Sequence, residues 1–190
     1  IDRLITERTK AICVLHKEGD PARLDEILAI GRKRGVKVIE DAAHAFGAEY
    51  RGVKIGNHGD YVCFSFQAIK HLTTGDGGAL SCLDEEDYLR AKRLKWFGVD
   101  HDNPEGGNVW MHDIDEWGLK ANLNDVSAAI GIENIRHVET LIEQFHSNGI
   151  LYNELLADTP GVKLIRRDLK NDYSTFWAYC VIVEERHRLI

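Results

Sequence analysis

The sequence predicts an α/β protein organised around a mostly parallel sheet, followed by the start of a smaller α/β domain. Three observations predict it. The apolar runs AICVLH (11–16) and VKVIED (36–41) bracket a helical segment with short connections, a βαβ unit that sets the two strands parallel. Two more strand-like runs, YVCFSF (61–66) and GGALSC (77–82), follow. Beyond them a long helical pattern, NDVSAAIGIENIRHVETLIEQFHSNGILYNELLAD, leads into strand-like GVKLIRR (161–167) and FWAYCVIV (176–183), as at the border of a second domain. The expected division is a large domain over 1–122, a connecting helix over 123–158 and the beginning of a small domain over 159–190.

Within the βαβ unit, Asp20 is expected to cap the helix, Pro21 to sit in its first turn and Gly35 to close it. Leu24, Ile27 and Leu28 share one helical face, and Arg32, Lys33 and Arg34 sit where the helix dipole favours cations. The glycine-bearing stretch AAHAFGAEYRGVKIGNHGD reads as a loop or hairpin. Asp84 is placed to cap a helix running through Phe97. The segment from Val99 to Gly118 has no period and reads as a long loop. In the long helical pattern, Val126, Ile130, Ile135, Val138, Leu141, Ile142 and Phe145 form an apolar stripe expected to be mostly core.

A chain of 190 residues that is 44% hydrophobic can bury a core as one globular unit. Its net charge of -7, with no long basic run, argues against a nucleic-acid surface. No apolar stretch reaches membrane-span length and no signal peptide is evident, so no membrane partner and a cytoplasmic location are expected. Cys13, Cys63, Cys82 and Cys180 are widely spaced, mostly inside apolar runs, and are expected to be buried reduced thiols. No metal site is expected, because the nine histidines show neither an HExxH pattern nor a common helical register. The chain starts at Ile1 and stops within a strand-like run, as expected of a piece of a longer protein.

Chemistry gathers at the strand ends. In an open parallel sheet, ligands bind beyond the carboxyl ends of the strands. Asp41 and His44 follow the second strand, and Ser65 and Lys70 lie at and after the third. Taken singly, Lys70 is a loop lysine, Asp41 a capping acid and His44 a partner of backbone groups. Together they match pyridoxal phosphate, which needs a lysine amine for a Schiff base, a carboxylate for the pyridine nitrogen and donors around the phosphate. The glycines of GDGG lack both the dinucleotide fingerprint and the Lys-Ser/Thr pair of a phosphate-binding loop.

The stretch EDAAHAFGAEYRGVKIGNHGDYVCFSFQAIKHLTTGDGGAL, together with GLKANLNDVSAAIG (118–131), resembles the DegT/DnrJ/EryC1/StrS family of pyridoxal-phosphate-dependent sugar aminotransferases. The likeness runs from about residue 5 to about residue 131. It implies a fold type I large domain that binds pyridoxal 5'-phosphate over 1–122. It also implies transfer of an amino group from glutamate, leaving 2-oxoglutarate, to a keto group of a nucleotide-linked sugar. Carbon 4 of the sugar is the expected position, in bacterial surface polysaccharide, lipopolysaccharide or antibiotic sugar biosynthesis.

In that resemblance Lys70 is the catalytic, cofactor-bearing lysine, Asp41 faces the pyridine nitrogen, His44 the phenolic oxygen, and Ser65 holds the phosphate. Asn122 resembles a residue given across a homodimer interface to the neighbour's phosphate, so that active sites are shared; the alternative role for Asn122 is a helix cap. Dehydratase relatives carry histidine where this chain has Lys70. A noncatalytic relative acting as a binding or assembly module is the other alternative. Because family members are roughly twice this length, the 190 residues alone are expected to be inactive.

Overall fold

A computed structural model describes residues 1–102 and 113–188. Much of the long loop expected from Val99 to Gly118 therefore lies outside the described residues. The βαβ unit forms as its sequence dictates. Strand β1 (Ala11–Leu15) pairs in parallel with β2 (Lys37–Asp41), and helix α1 (Leu24–Arg34) joins them. Gly35 closes α1 in the left-handed region, at φ 63°, a conformation that costs other residues about 1–2 kcal/mol. The expected start is displaced: α1 begins at Leu24 after Arg23, with no side-chain cap. Asp20 instead receives the Arg167 Nε–H at 2.7 and 2.8 Å and the Ser174 hydroxyl at 2.5 Å. A carboxylate that answers a buried guanidinium is worth more than a helix cap, and the competition ends there.

After β2 the chain makes a two-residue-per-arm hairpin, β3 (Glu49–Tyr50) against β4 (Val53–Lys54), and then returns to the sheet. Strand β5 (Tyr61–Ser65) lies parallel to β2, and β6 (Gly78–Cys82) closes that side antiparallel to β5. The sheet order is β1-β2-β5-β6, with two of its three pairings parallel. All three parallel strands therefore end on the same side. Helix α2 (Glu85–Leu94) is capped by Asp84, whose carboxylate accepts from the Glu86 and Asp87 amides.

The long helical pattern is two helices, α3 (Asp125–Asn134) and α4 (Val138–Leu156), parted at residues 135–137. Its apolar stripe is only partly core. Val138 and Ile142 are buried, whereas Val126, Ile130, Ile135 and Phe145 are exposed. Strands β7 (Val162–Leu164) and β8 (Val181–Val183) pair antiparallel in a separate two-stranded sheet. Among the described residues, no helix is long and apolar enough to cross a membrane.

The principal core lies between α1 and the sheet. Ile12, Val14, Val38 and Val62 alternate onto one sheet face and meet Leu24 and Ile27. The opposite face carries Cys13, Leu15, Cys63 and Leu80, all exposed. The expectation of buried cysteines fails there for a simple reason: a period of two sends Cys13 and Cys63 to the face turned away from the α1 core. The four thiols are free. A second cluster joins Leu72 to Val138 and Ile142 of α4, with Phe46, Phe66 and Tyr173 against it.

At the ends of β1 and β2 the sheet is fastened by a buried polar network. His16 and Glu40 are fully buried and 2.7 Å apart, between Nε2 and Oε2. The Ala22 amide donates to His16 Nδ1 at 3.0 Å, so the ring hydrogen sits on Nε2 and is donated to Glu40. The other Glu40 oxygen accepts from the Gly59 amide. Every polar group of this pair is thereby satisfied, which makes burial tolerable.

Candidate functional site

The carboxyl ends of β1, β2 and β5 lie on one side of the sheet, and there Asp41, His44 and Lys70 come within electrostatic reach of one another. The strand register places Leu15 beside Asp41 and Asp41 beside Cys63, so the carboxylate occupies the centre of the sheet's end. Asp41 Oδ1 accepts from the Ala43 amide at 3.1 Å, an Asx-type turn that releases the chain from the strand.

Beyond β5, the turn that carries Lys70 is built largely from its own hydrogen bonds. The Lys70 amide donates to Gln67 O at 2.9 Å, the Thr74 amide to Phe66 O at 2.9 Å, and the Phe66 amide to Gly77 O at 2.8 Å. Asn134 of α3 adds its Nδ2–H to Thr73 O at 2.9 Å. Gly75 (φ 80°) and Gly77 (φ 149°) supply backbone angles that a side chain would resist, and the chain thereby enters β6 directly.

Lys70 is half-buried, and that burial pushes its amine below the ordinary lysine value, while the Asp41 carboxylate opposes the shift. The result is an amine that gives up its proton more readily than a surface lysine yet remains in the field of a carboxylate. His44 sits in the loop after β2. Burial first, and the charge of Lys70 second, push its imidazole down from the usual value. The Glu18 amide donates to His44 Nδ1 at 3.3 Å, which leaves the ring hydrogen on Nε2 as a donor.

Glu18 holds that amide in position with a left-handed backbone, φ 60° and ψ 19°, unusual for a residue other than glycine. Its carboxylate is kept below the ordinary range, chiefly by a hydrogen bond from the Cys180 thiol.

The structure thus joins Asp41, His44 and Lys70. Ser65 ends β5, and its Oγ accepts from the Gln67 amide at 3.3 Å. Asn122 lies between α2 and α3 with its Oδ1 buried and unpartnered. The α3 cap is Asn124, whose Oδ1 accepts from the Ser127 amide at 2.9 Å, so a capping role for Asn122 does not apply. Neither Ser65 nor Asn122 hydrogen-bonds to the other three among the described residues.

Two residues of the crevice escape sequence reasoning. Trp177 stacks flat on His44, with ring centroids 3.8 Å apart and an interplanar angle of 11°. Its Nε1–H donates to Ile69 O at 3.1 Å, and Lys70 Nζ lies 4.4 Å from its ring centroid. Glu18 is the other. Trp177 reaches the site from more than 100 positions away, within a run that reads simply as a strand.

Next to Lys70, His71 turns inward, buried and edge-on to Phe145 at 4.6 Å. Its Nε2 is unpartnered, and burial, followed by the charge of Lys70, pushes its pKa down to about 4. A folded value below the unfolded one, about 6.5, means that the unfolded chain takes up the proton first as pH falls. The associated stability is complete above about pH 6.5 and is lost as pH falls toward about 4. His44 acts in the same direction. The urea midpoint is therefore expected to drop between about pH 7 and about pH 5, and to drop less in His71→Leu. Equal drops in the two proteins would remove His71 from the account.

Comparison with known proteins agrees with this architecture. The chain is 41% identical over 182 residues to an uncharacterized protein of Methanocaldococcus jannaschii, an alignment covering 93% of this chain and 46% of that protein. It superimposes on AtS13 from Actinomadura melliaura with a TM-score of 0.90 at 38% identity, over 99% of this chain and 51% of the other. The sugar aminotransferase CalS13 from Micromonospora echinospora gives a TM-score of 0.91 at 33% identity, over 99% and 52%. The chain spans about half the length of these relatives, and within that half it has the α/β, fold type I architecture of sugar aminotransferases. The pattern of a pyridoxal-phosphate-dependent family matches residues 1–189, and the chain belongs to that family, the DegT/DnrJ/EryC1/StrS aminotransferases.

Proposed function

We propose that this chain carries the lysine-bearing part of an aminotransferase site that takes an amino group from glutamate and gives it to a keto group of a nucleotide-linked sugar, at carbon 4. The observation that carries the proposal is the Lys70 amine, lowered by burial and set in the field of Asp41 where the parallel strands end. The donor set suits pyridoxal phosphate: an amine freed of its proton at modest cost, a carboxylate, and an imidazole whose Nε2–H is available to donate. When bound, that cofactor supplies an electron sink and carries the amino group between donor and acceptor.

The protein's own groups do the rest. Lys70 anchors the cofactor through Nζ and afterwards takes and returns a proton there. Asp41 keeps the ring nitrogen protonated, and His44 donates from Nε2 to the phenolic oxygen. Ser65 holds the phosphate, and Asn122, whose Oδ1 lacks a partner, serves the neighbour's phosphate across a homodimer. A lysine rather than a histidine at position 70 favours amino transfer over the dehydration of related enzymes. The setting is cytoplasmic, where nucleotide-linked sugars of bacterial polysaccharide and antibiotic synthesis are made.

Incubation with pyridoxal phosphate, reduction with borohydride and peptide mapping test the proposal. The pyridoxyl label is expected on the Lys70 peptide. Label absent from Lys70, or spread over surface lysines, would leave a noncatalytic binding or assembly module as the account of this fold.

A further inference from the structure

We propose that Trp177 is the positioning residue for Lys70: its indole, stacked on His44 and tied to the Ile69 carbonyl, offers a π face that holds the lysine amine at the ends of β2 and β5. Three independent contacts define it. The ring lies flat on His44 at 3.8 Å, the Nε1–H reaches Ile69 O at 3.1 Å, and Lys70 Nζ stands 4.4 Å from the centroid, well inside cation–π range. The Ile69 bond matters most for placement, because it fixes the indole to the residue immediately before the lysine.

The indole cannot drift while those contacts hold. Its backbone segment is anchored to the end of β1 on both sides of Trp177: the Thr175 amide donates to Gly19 O at 3.1 Å and the Ala178 amide to Glu18 O at 3.4 Å. Thr175 also gives its hydroxyl hydrogen to His44 O at 3.3 Å. A lysine side chain has four rotatable bonds and about 2 kcal/mol of rotamer entropy, so an unguided Lys70 would sweep the crevice. The aromatic face supplies the missing restraint.

The charged and titratable groups facing Lys70 are Asp41 from the end of β2, His44 from the following loop, and its own neighbour His71. Asp41 and the indole both favour the ammonium, and burial opposes them. Deleting the indole outright would change burial and π contact together, with opposite signs. Trp177→Phe and Trp177→Leu are therefore compared with each other, since they are similar in bulk and differ in the π face.

The experiment is carried out on the 190-residue chain without cofactor. Lys70 acylation by a limiting amine-reactive reagent is followed against pH by peptide mass spectrometry. The labelling midpoint is expected to lie about half a pH unit higher in Trp177→Phe than in Trp177→Leu. Coincident midpoints in folded variants would overturn the proposal. A second measurement needs no substitution of the tryptophan: after reductive ¹³C-methylation, the Lys70 signal, assigned by its loss in Lys70→Arg, is expected upfield of the other lysines through the indole ring current. A Lys70 signal among the exposed lysines would overturn the proposal as well. The functional meaning of the clamp rests on Lys70 being the cofactor lysine, but neither measurement uses pyridoxal phosphate, so failure of the borohydride label and failure of the clamp are read separately.

Discussion

Lys70→Ala is expected to erase the borohydride-fixed pyridoxyl adduct while leaving the fold nearly as stable as before. The two halves of that result have separate causes. Only an amine can condense with the aldehyde of pyridoxal phosphate, and the loss of Nζ cannot be made up by Asp41 or His44. Stability, by contrast, draws little from this side chain. Lys70 is half-buried, and its aromatic contact with Trp177 is worth about 0.5–1 kcal/mol. For a chain of this size that corresponds to a loss of about 4 °C or less in the unfolding midpoint. Circular dichroism melts beside the peptide map check both halves at once. A retained adduct at another residue would show that the crevice does not select Lys70, and a collapse of the melting point would mean that the lysine turn supports the sheet.

The opposite pattern is expected for Glu40→Ala, which lies one residue before Asp41 yet is out of contact with water. Its carboxylate accepts from His16 Nε2 at 2.7 Å and from the Gly59 amide, in a region with no exposed surface. Truncation would strand both donors where nothing replaces the acceptor, a loss of about 3–5 kcal/mol. The damage would also reach the site, since the His16 amide donates to Asp41 O at 3.0 Å, on the same strand ends that the network pins. Glu40→Gln should cost less, about 1–3 kcal/mol, because one oxygen remains an acceptor while the new NH₂ meets a donor. Urea unfolding of the three proteins measures the difference. A Glu40→Ala loss below about 1 kcal/mol would mean that the pair is dispensable.

The parts of the fold visible in the sequence were those written in local physics. A continuous apolar run bounded by glycine and charge is a strand wherever it sits in the sheet, and β1, β2, β5 and β6 appear within one residue of the runs that foretold them. Gly35 ends α1 because only a left-handed residue suits that position, and Asp84 caps α2 because its carboxylate reaches the first free amides. Asp41, His44 and Lys70 were legible for a related reason: parallel strands share one end, so polar residues that follow them converge.

What was illegible depended on distant partners. Nothing in Ile135-Arg136-His137 resists a helix, and the break there separates two helices that pack differently: α4 buries Val138 and Ile142 while α3 leaves Val126 and Ile130 exposed. Asp20 had the right chemistry for a cap, and Arg167 claimed it from 147 positions away. Trp177 and Glu18 belong to the same class. Trp177 sits in the bend that precedes β8, not in the strand expected over 176–183, and nothing local to it marks the lysine it meets.

Those long-range ties set the order in which the protein can become competent. The sheet assembles from neighbours in sequence, whereas the crevice is shut by a clasp formed from Arg167, Ser174, Thr175 and Trp177 against Asp20, His44 and the Ile69 carbonyl. Closing so large a loop is entropically slow and rewards the chain only when all its links engage together. On the ribosome, strand β1 has long emerged before the clasp is made. Confinement of Lys70 therefore depends on the segment 167–177 as well as on the strands that carry Asp41 and Ser65, so a change in that distant segment can loosen the lysine without touching the sheet.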